Sequence, residues 1–409
     1  MNITLQLLKV SSSNTVPSLE GIRILDLTRV WAGPLATRIF GDYGAEVIKI
    51  TDPRTPLVMD NGLNNKLNRN KKNIGLRLDK PDGHEIFTEL VSISDIVIEN
   101  FRPRVMRNLR LTYDKLIQFN PAIIMCSMPG FGLKGPYSEY PAFGTTAEAL
   151  AGLPYLTGYD NHLPISTGIA YGDPVSGLNA VGILMAALRQ KTKQGIGQHI
   201  DIALAASPVC NLGEYFVAES VGLPPPVLNG NKSPRMSPHG VYPTQGYDQW
   251  IAVAIEHLDQ WKSLVRILDS EILKSVDFHN ISTRKQKEST IDSAISLWTQ
   301  KRTGTQIMQI FQESGIPAGI VSNSEQMLED PHLNKRGIFV TLEEQHYGSK
   351  KYDAQSIPGN YRAKIDWTPI RDVGQDSEFF LRKLLGYSQS ECKALEEKEV
   401  VHFEPEITI

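Results

Sequence analysis

Short apolar segments rich in branched residues alternate with helical segments through the first 130 residues. The spacing predicts strands over 21–27 and 45–50 and a helix over 33–44 between them. Two strands joined by a crossover helix pair in parallel. The same alternation then predicts, in order, a helix over 81–95, a strand over 96–100, a helix over 112–119 and a strand over 122–127. The sequence therefore predicts an α/β fold with a doubly wound, Rossmann-like parallel sheet.

A change in composition near residue 221 predicts where this first domain is interrupted. Residues 221–239 are rich in Pro, Gly, Asn and Ser, which is typical of a linker. Strand and helix patterns follow over 240–325 and predict a smaller α+β domain. We interpret 326–339 as a second linker, so that 19–220 together with 340–409 form the large domain.

Charge, cysteine and histidine content disfavour several classes of protein. The formal net charge is −3 at pH 7, which gives no overall attraction to nucleic acid or to an anionic membrane. The three cysteines form no CxxC pair and the nine histidines no HExxH motif, so we expect no metal site. No uncharged apolar run reaches the ~18 residues of a membrane span. We interpret residues 1–18 as a loose extension rather than a signal peptide, and we expect a cytoplasmic protein.

The loop between the first strand and the first helix, LTRVWAGP (27–34), is a candidate anion site. Free N–H groups at the start of a helix favour bound anions. The loop holds a single glycine, however, so the GxGxxG pattern of dinucleotide-binding proteins is absent. An ordinary turn with Pro34 at the first helical position explains the same residues. A nucleotide-dependent dehydrogenase is therefore disfavoured, while phosphate binding and a plain turn both stay open.

Two basic segments are expected at the carboxyl edge of the sheet, where α/β proteins bind ligands. Residues 68–73 (NRNKKN) contain Lys71 and Lys72, and residues 99–110 contain four arginines, Arg104 among them. Together they could hold a phosphorylated ligand. A basic segment is more often solvated surface, and that alternative stays open.

Asp173 is a lone carboxylate in a segment of small and apolar residues, TGIAYGDPVSG (167–177). It precedes Pro174 and a helix predicted over 176–192, as a helix N-cap would. A nucleophile fits the same placement, because the helix dipole holds a carboxylate there ionised, and covalent catalysis requires the ionised form. The local sequence favours the cap, and the two interpretations are compatible.

Ordered motifs along nearly the whole chain after residue 18 resemble the class III CoA-transferases, the family typified by formyl-CoA transferase and carnitine CoA-transferase. The matching segments are residues 19–50, 68–83, 95–105, 127–143, 168–204, 238–256 and 315–333. The resemblance implies an enzyme that exchanges CoA between an acyl-CoA and a free carboxylic acid. It implies no permanently bound cofactor.

The same resemblance assigns roles to individual residues. Asp173 stands at the family's catalytic aspartate, which would attack the donor thioester and pass through an aspartyl anhydride and an aspartyl-CoA thioester. Residues expected to bind CoA are Trp31, Ala32, Lys71, Lys72, Asn100, Phe101 and Arg104. The family forms interlocked dimers, so we expect a homodimer whose large domains bind CoA.

Two other functions fit part of this pattern. The α-methylacyl-CoA racemases share the fold and pair the aspartate with a histidine, but Phe143 aligns with that histidine, although Glu256 matches a racemase glutamate. The second alternative is a non-catalytic CoA-binding protein in which Asp173 only caps a helix.

Arg235 and His239 are further candidates to contact a substrate carboxylate.

Overall fold

The chain divides into two compact units. The structure is a computed structural model that describes residues 17–55, 62–159, 163–224, 227–344, 348–354 and 367–404, so most of the extension expected over 1–18 lies outside it. Unit 1 comprises Met1–Tyr155, Ser166–Pro224 and Gly337–Ile409, and unit 2 comprises Leu156–Ile165 and Pro225–Arg336.

A mostly parallel sheet organises unit 1. In the described residues the strands are, in chain order, β1 (Arg23–Asp26), β2 (Glu46–Thr51), β3 (Lys72–Leu76), β4 (Ile96–Glu99), β5 (Ile124–Ser127), β6 (His199–Asp201), β7 (His239–Pro243), β8 (Trp250–Ala254), β9 (Ala318–Ile320), β10 (Phe339–Glu344), β11 (Gly348–Asp353) and β12 (Val401–His402). The sheet has the order β12-β3-β2-β1-β4-β5-β6, with only β12 antiparallel to its neighbour. The predicted α/β fold with a doubly wound sheet is confirmed.

Helices cover both faces of this sheet. In the described residues the α-helices are α1 (Ala32–Asp42), α2 (Gly62–Asn68), α3 (Pro81–Ser92), α4 (Pro103–Asn108), α5 (Tyr113–Leu116), α6 (Gly144–Leu150), α7 (Leu153–Leu156), α8 (Gly172–Gln194), α9 (Ala206–Val209), α10 (Gly213–Ser220), α11 (Leu258–Leu268), α12 (Ile281–Gln286), α13 (Glu288–Thr299), α14 (Gly304–Glu313), α15 (Ser324–Glu329), α16 (Pro331–Lys335) and α17 (Gln389–Glu397). Phe379–Leu384 forms a π-helical segment.

Burial on both faces explains why the strands appear in the sequence as short continuous apolar runs. One face packs against α3 and α17 through residues such as Ile48 and Phe87. The other face packs against α1 and α8 through residues such as Ile24 and Val47. The two helices approach closely at Gly177 of α8, where a Cβ atom would lie 2.6 Å from the Ala32 carbonyl oxygen. Gly177 therefore allows α1 and α8 to pack closely.

The order of the strands fixes where a ligand site can form. Strands β1, β2 and β3 progress toward one edge, and β4, β5 and β6 then progress toward the other, starting beside β1. The border of β1 and β4 is the topological switch point, where the loops after the two strands diverge and leave a crevice. The loops that begin at Leu27 and Asn100 lie at this border.

Unit 2 is built around a three-stranded antiparallel sheet, β7-β8-β9. Helices α11, α13 and α14 pack on it around Trp261, Ile295 and Phe311. The segment Leu156–Ile165 was expected in the large domain. The structure assigns it to unit 2, where the Gly158 carbonyl accepts the N–H of Gly230 at 2.9 Å.

The predicted second linker, 326–339, contains regular structure. It includes part of α15 and all of α16, and β10 begins at its end and pairs with β11 in an antiparallel hairpin. The apolar–polar alternation typical of strands is weak in this part of the sequence, because Lys350 and Lys351 occupy β11.

Candidate active site

The loop from β1 to α1 brings backbone N–H groups to the switch point. Val30 in this loop has φ +68°, a left-handed conformation that costs a non-glycine residue roughly 1–2 kcal/mol. Such a conformation is especially rare for a β-branched side chain. Trp31 is the half-buried N-cap of α1, and Ala32 begins the helix and is fully buried. Strain of this kind persists where the surrounding structure holds it, often at functional sites.

Asp173 lies where three helices of unit 1 meet. It is the second residue of α8, whose N-cap is Tyr171, and it is only 5% exposed. Its carboxylate does not cap its own helix. Instead Oδ1 accepts the N–H of Ala32 at 3.3 Å, and the N–H of Gly144 in α6 also donates to the carboxylate. The interpretation of Asp173 as the N-cap of α8 is therefore wrong, because its carboxylate accepts N–H groups from two other helices, α1 and α6.

Close approach makes glycine necessary at residue 144. A Cβ atom on Gly144 would lie 1.8 Å from Oδ2 of Asp173 and 2.8 Å from the carbonyl oxygen of Ala170. A side chain there would have to displace the carboxylate. The preceding residue, Phe143, is 66% exposed and carries no titratable group. In the described residues the Asp173 carboxylate accepts backbone N–H groups and has no histidine in hydrogen-bond contact.

Burial and hydrogen bonding act on the Asp173 carboxylate in opposite directions. Burial raises its pKa, because the charged form loses hydration, while the N–H groups of Ala32 and Gly144 favour the charged form and lower the pKa. The net shift is upward. No charged side chain in the described part of the chain is a further cause. Asp173 is thus a poorly hydrated carboxylate held by amide dipoles rather than by an ion pair.

Asn100 joins the two loops at the switch point. Its Oδ1 accepts the N–H of Arg29 at 2.8 Å, and its Nδ2 donates to the Arg29 carbonyl at 2.7 Å. The Arg29 guanidinium lies 5.8 Å from the centroid of the half-buried Phe101 ring and donates to Thr55 Oγ1 at 3.1 Å. The structure thus brings Asn100 and Phe101 to the loop that carries Trp31, as the sequence predicts for one binding region.

Glu99, the last residue of β4, holds the loop that carries Asn100 and Phe101. Its Oε2 accepts the Phe101 N–H at 2.8 Å. Burial raises the pKa of Glu99 to about 7, against opposing hydrogen bonds from Ser127 and the Phe101 N–H. The loop after β4 therefore rests on a carboxyl group that titrates near neutral pH.

The interpretation of 68–73 as a solvated basic loop is wrong. Lys72 begins β3, pairs with Glu46 at 2.9 Å and lies 4.5 Å from the Phe379 ring centroid. Lys71 is buried and pairs with Asp26 at 3.0 Å. Burial lowers the pKa of Lys71 to about 7 despite the nearby Asp26 charge. Lys71 is therefore buried in an ion pair with Asp26, whereas the Lys72 side chain is partly exposed beside Glu46.

The second basic segment forms α4 and the residues around it. Arg104 is exposed, and its backbone N–H donates to Glu139 at 3.4 Å. Arg107 forms an ion pair with the same Glu139, which ties α4 to the glycine-rich loop that follows β5. Within the described residues, the Arg104 guanidinium has no carboxylate within ion-pair distance. Arg104 remains a candidate for an anionic ligand.

The remaining candidates from the sequence belong to unit 2 and make local contacts there. His257 is the N-cap residue of α11, its backbone N–H donates to Gln260 Oε1 at 3.1 Å, and its ring lies 3.6 Å from the Glu256 carboxylate. His239 Nδ1 lies 2.6 Å from the Asn231 carbonyl, and Arg235 is exposed. These contacts explain His257 and His239 without a ligand.

Sequence reasoning missed Gly144 and Arg29 as parts of the site. Gly144 lies in a glycine-rich segment, but the sequence does not show which glycine faces a carboxylate. Arg29 could have been found, because it is the lone cation in the loop 27–34 at the expected ligand edge.

The part of the chain that the structure describes has neither a metal-ligand cluster nor a membrane-spanning helix. It contains no group of three or more His, Cys, Asp or Glu side chains placed to hold a metal ion. None of its helices combines the length and apolar character needed to cross a membrane.

A buried carboxylate thus lies at the switch point of a doubly wound α/β sheet, where such folds bind their ligands. The family model described as CoA-transferase family III matches residues 19–376, and the chain belongs to this family. It is 30% identical over 388 residues to the human succinyl-CoA:glutarate CoA-transferase, covering 92% of this chain and 88% of that protein. The protein is therefore a family III CoA-transferase.

Two further comparisons agree with this assignment. The chain is 28% identical to the succinyl-CoA–D-citramalate CoA-transferase of Chloroflexus aurantiacus, covering 96% of this chain and all of that protein. The crystal structure of a CaiB/BaiF family protein from Brucella suis superposes with a TM-score of 0.80 at 25% identity, covering 90% of this chain and 99% of the other. The fold and the family thus agree over most of the chain.

Proposed function

We propose that the enzyme moves CoA from an acyl-CoA to a free carboxylic acid with Asp173 as the covalent nucleophile. A carboxylate oxygen of Asp173 attacks the thioester carbon, the C–S bond breaks, and CoA leaves as its thiolate with an aspartyl anhydride behind. The thiolate then attacks the aspartyl carbonyl carbon, releases the donor acid and leaves an aspartyl-CoA thioester. The acceptor carboxylate repeats these steps in reverse. One thioester replaces another, so no separate energy source is required.

The contact between Asp173 and two backbone N–H groups is the observation that carries this proposal. The N–H groups of Ala32 and Gly144 hold the carboxylate in the resting enzyme. When thiolate attacks the aspartyl carbonyl, negative charge develops on an oxygen beside these donors. Fixed N–H groups stabilise such an oxyanion without reorganising. A residue that only capped α8 would not need donors from other helices.

Mass spectrometry of the protein after incubation with acyl-CoAs tests the covalent step. Succinyl-CoA, glutaryl-CoA and a monocarboxylic acyl-CoA form a suitable panel, because two relatives are named for succinyl-CoA as donor. We expect a mass increase that maps to the peptide containing Asp173 and is removed by hydroxylamine. A panel that is turned over while Asp173 stays unmodified would reject the mechanism.

We further propose that CoA lies across the switch point. Trp31, Ala32, Asn100 and Phe101 would contact its body, because they converge there. Cations for its phosphates would come from Arg104 and from the neighbouring Arg29 rather than from Lys71 and Lys72, which are paired with carboxylates.

Charge reversal tests this placement. Arg104→Glu and Arg29→Glu are each expected to raise the Kd for CoA by about tenfold, because a cation near the phosphates is replaced by an anion. Added salt should weaken binding to the unmodified protein. Lys393→Glu is the matched control, since Lys393 is exposed on α17 and makes the same change in charge. Calorimetry that gives all three variants the unmodified affinity would contradict the placement.

A homodimer is proposed as the functional unit. Unit 1 exposes large apolar side chains on two of its helices, among them Leu178 and Met185 of α8 and Phe216 and Val217 of α10. Exposed apolar residues grouped on one unit are typical of a surface that another chain covers. Sedimentation at micromolar concentration should give the mass of two chains. A fully active single chain would contradict the proposal.

A further inference from the structure

A buried glutamate of α6 holds the segment that leads into α8. Glu148 is 0% exposed. Its Oε1 accepts the Thr167 N–H at 2.7 Å, and its Oε2 accepts the Thr167 hydroxyl and the Tyr171 N–H, each at 3.2 Å. Both carboxylate oxygens are therefore used to hold the backbone between 167 and 171.

The held segment has an unfavourable backbone conformation. Ala170 has φ +48°, in the left-handed region, and the four residues before it are exposed. Thr167 and Tyr171 lie on either side of Ala170, so the bonds to Glu148 fix the chain both before and after the strained residue. The Ala170 carbonyl in turn accepts the N–H of Asp173 at 2.9 Å. Through these bonds Glu148 acts on the placement of Asp173 without touching its side chain.

Helix α6 thus acts on Asp173 in two ways, directly through Gly144 and indirectly through the segment 167–171. Gly144, its first residue, donates its N–H to the Asp173 carboxylate. Glu148 lies four residues later, about 6 Å along the helix axis. Side chains on a helix lean toward its N-terminus, which directs the Glu148 carboxylate back toward Gly144. One short helix therefore sets both the backbone and the carboxylate of the same residue.

We propose that Glu148 is a positioning residue for CoA transfer, which fixes the segment 167–171 so that the Asp173 carboxylate meets the N–H groups of Ala32 and Gly144. This inference rests on the proposed role of Asp173 as nucleophile. Displacement of a reacting group by about 1 Å can cost about 10²-fold in rate. Loss of the Glu148 contacts would affect the chemical step more than the binding of CoA.

Glu148→Gln tests this inference, because it keeps the side chain's volume but replaces one acceptor oxygen with an NH₂ group that faces donors. We expect kcat to fall by about 10- to 100-fold, with KM for the acyl-CoA changed by less than about threefold. The acid limb of the kcat–pH profile should move to higher pH. The reason is that the N–H groups of Ala32 and Gly144, which lower the pKa of Asp173, would make weaker hydrogen bonds to a displaced carboxylate.

Thr167→Val provides a milder test should Glu148→Gln fold poorly. Thr167 lies in an exposed segment, and this change removes only the hydroxyl bond to Glu148. We expect a loss in kcat of about two- to fivefold and a shift of the acid limb in the same direction. An unchanged profile in Thr167→Val, together with loss of fold in Glu148→Gln, would assign Glu148 to stability alone and overturn the proposal.

Asp95→Asn is the matched control. Asp95 accepts the Arg23 N–H at 2.9 Å and pairs with Lys191 at the amino ends of the strands, remote from the switch point. The Asp95→Asn variant should lower Tm without moving the acid limb of the kcat–pH profile. An unmoved limb in Glu148→Gln, with a loss in kcat no larger than the control's, would refute the inference. If the unmodified enzyme forms no adduct on Asp173, the proposed function fails. If the adduct forms equally fast in Glu148→Gln, only the positioning role fails.

Discussion

Asp173→Ala is expected to lower the rate of CoA transfer by about 10⁴-fold or more, because removal of a covalent nucleophile leaves no route through the enzyme-bound intermediates. The protein should stay folded. The N–H groups of Ala32 and Gly144 would lose their acceptor, which costs about 1–3 kcal/mol. Initial rates of acyl exchange and thermal unfolding of the same preparation measure the two effects separately.

Asp173→Glu makes the comparison sharper, because it keeps the carboxylate and adds one methylene. The closeness of Gly144 to the carboxylate leaves no room for the longer side chain, so we expect a large loss here too. Near-normal turnover in Asp173→Ala would contradict the covalent mechanism. Deuterium uptake at the α-carbon of a chiral 2-methylacyl-CoA in deuterated water, without CoA exchange, would instead favour the racemase.

The local sequence around Asp173 favoured a helix cap over a nucleophile, and the structure shows why that interpretation was wrong. The Asp173 carboxylate accepts the N–H groups of Ala32 and Gly144, which are 141 and 29 positions away in the chain. Spacing along the chain carries no information about such a contact. Family resemblance marked Asp173 as the catalytic residue, whereas Glu148 has no local pattern that distinguishes it from a helix-surface glutamate.

The fold was more predictable where strands are apolar runs in the sequence. Strands β1, β2, β4 and β5 are apolar because both of their faces are covered, and the sequence predicts each of them. Strand β3 was missed because it begins at Lys72, directly after Lys71. Two adjacent charged residues are typical of a solvated loop, so the sequence pattern did not indicate a strand. A buried lysine becomes predictable only when its carboxylate partner, here Asp26 from another strand, is known.

That buried ionic cluster carries the second large effect. Asp26→Asn is expected to lower the free energy of unfolding by about 3–5 kcal/mol, the usual cost of leaving a buried charge without its partner. Asp26 is 0% exposed, and it accepts from Lys71 at 3.0 Å and from Lys49 at 3.5 Å, as well as from the Thr37 hydroxyl at 2.7 Å. Urea denaturation at pH 7, with the unmodified protein measured alongside, gives the loss.

The pH dependence distinguishes a buried charge from a packing defect. Burial lowers the pKa of Lys71 to about 7, so between that pH and its ordinary range the unfolded chain binds more protons than the folded chain. Stability from this group therefore rises with pH, and the rise should be steeper in Asp26→Asn, where no anion opposes deprotonation of Lys71 and Lys49. Adding Lys71→Met to Asp26→Asn should recover part of the loss, because it removes one uncompensated charge. A loss that is independent of pH and not recovered in the double variant would show that Asp26 acts through packing alone.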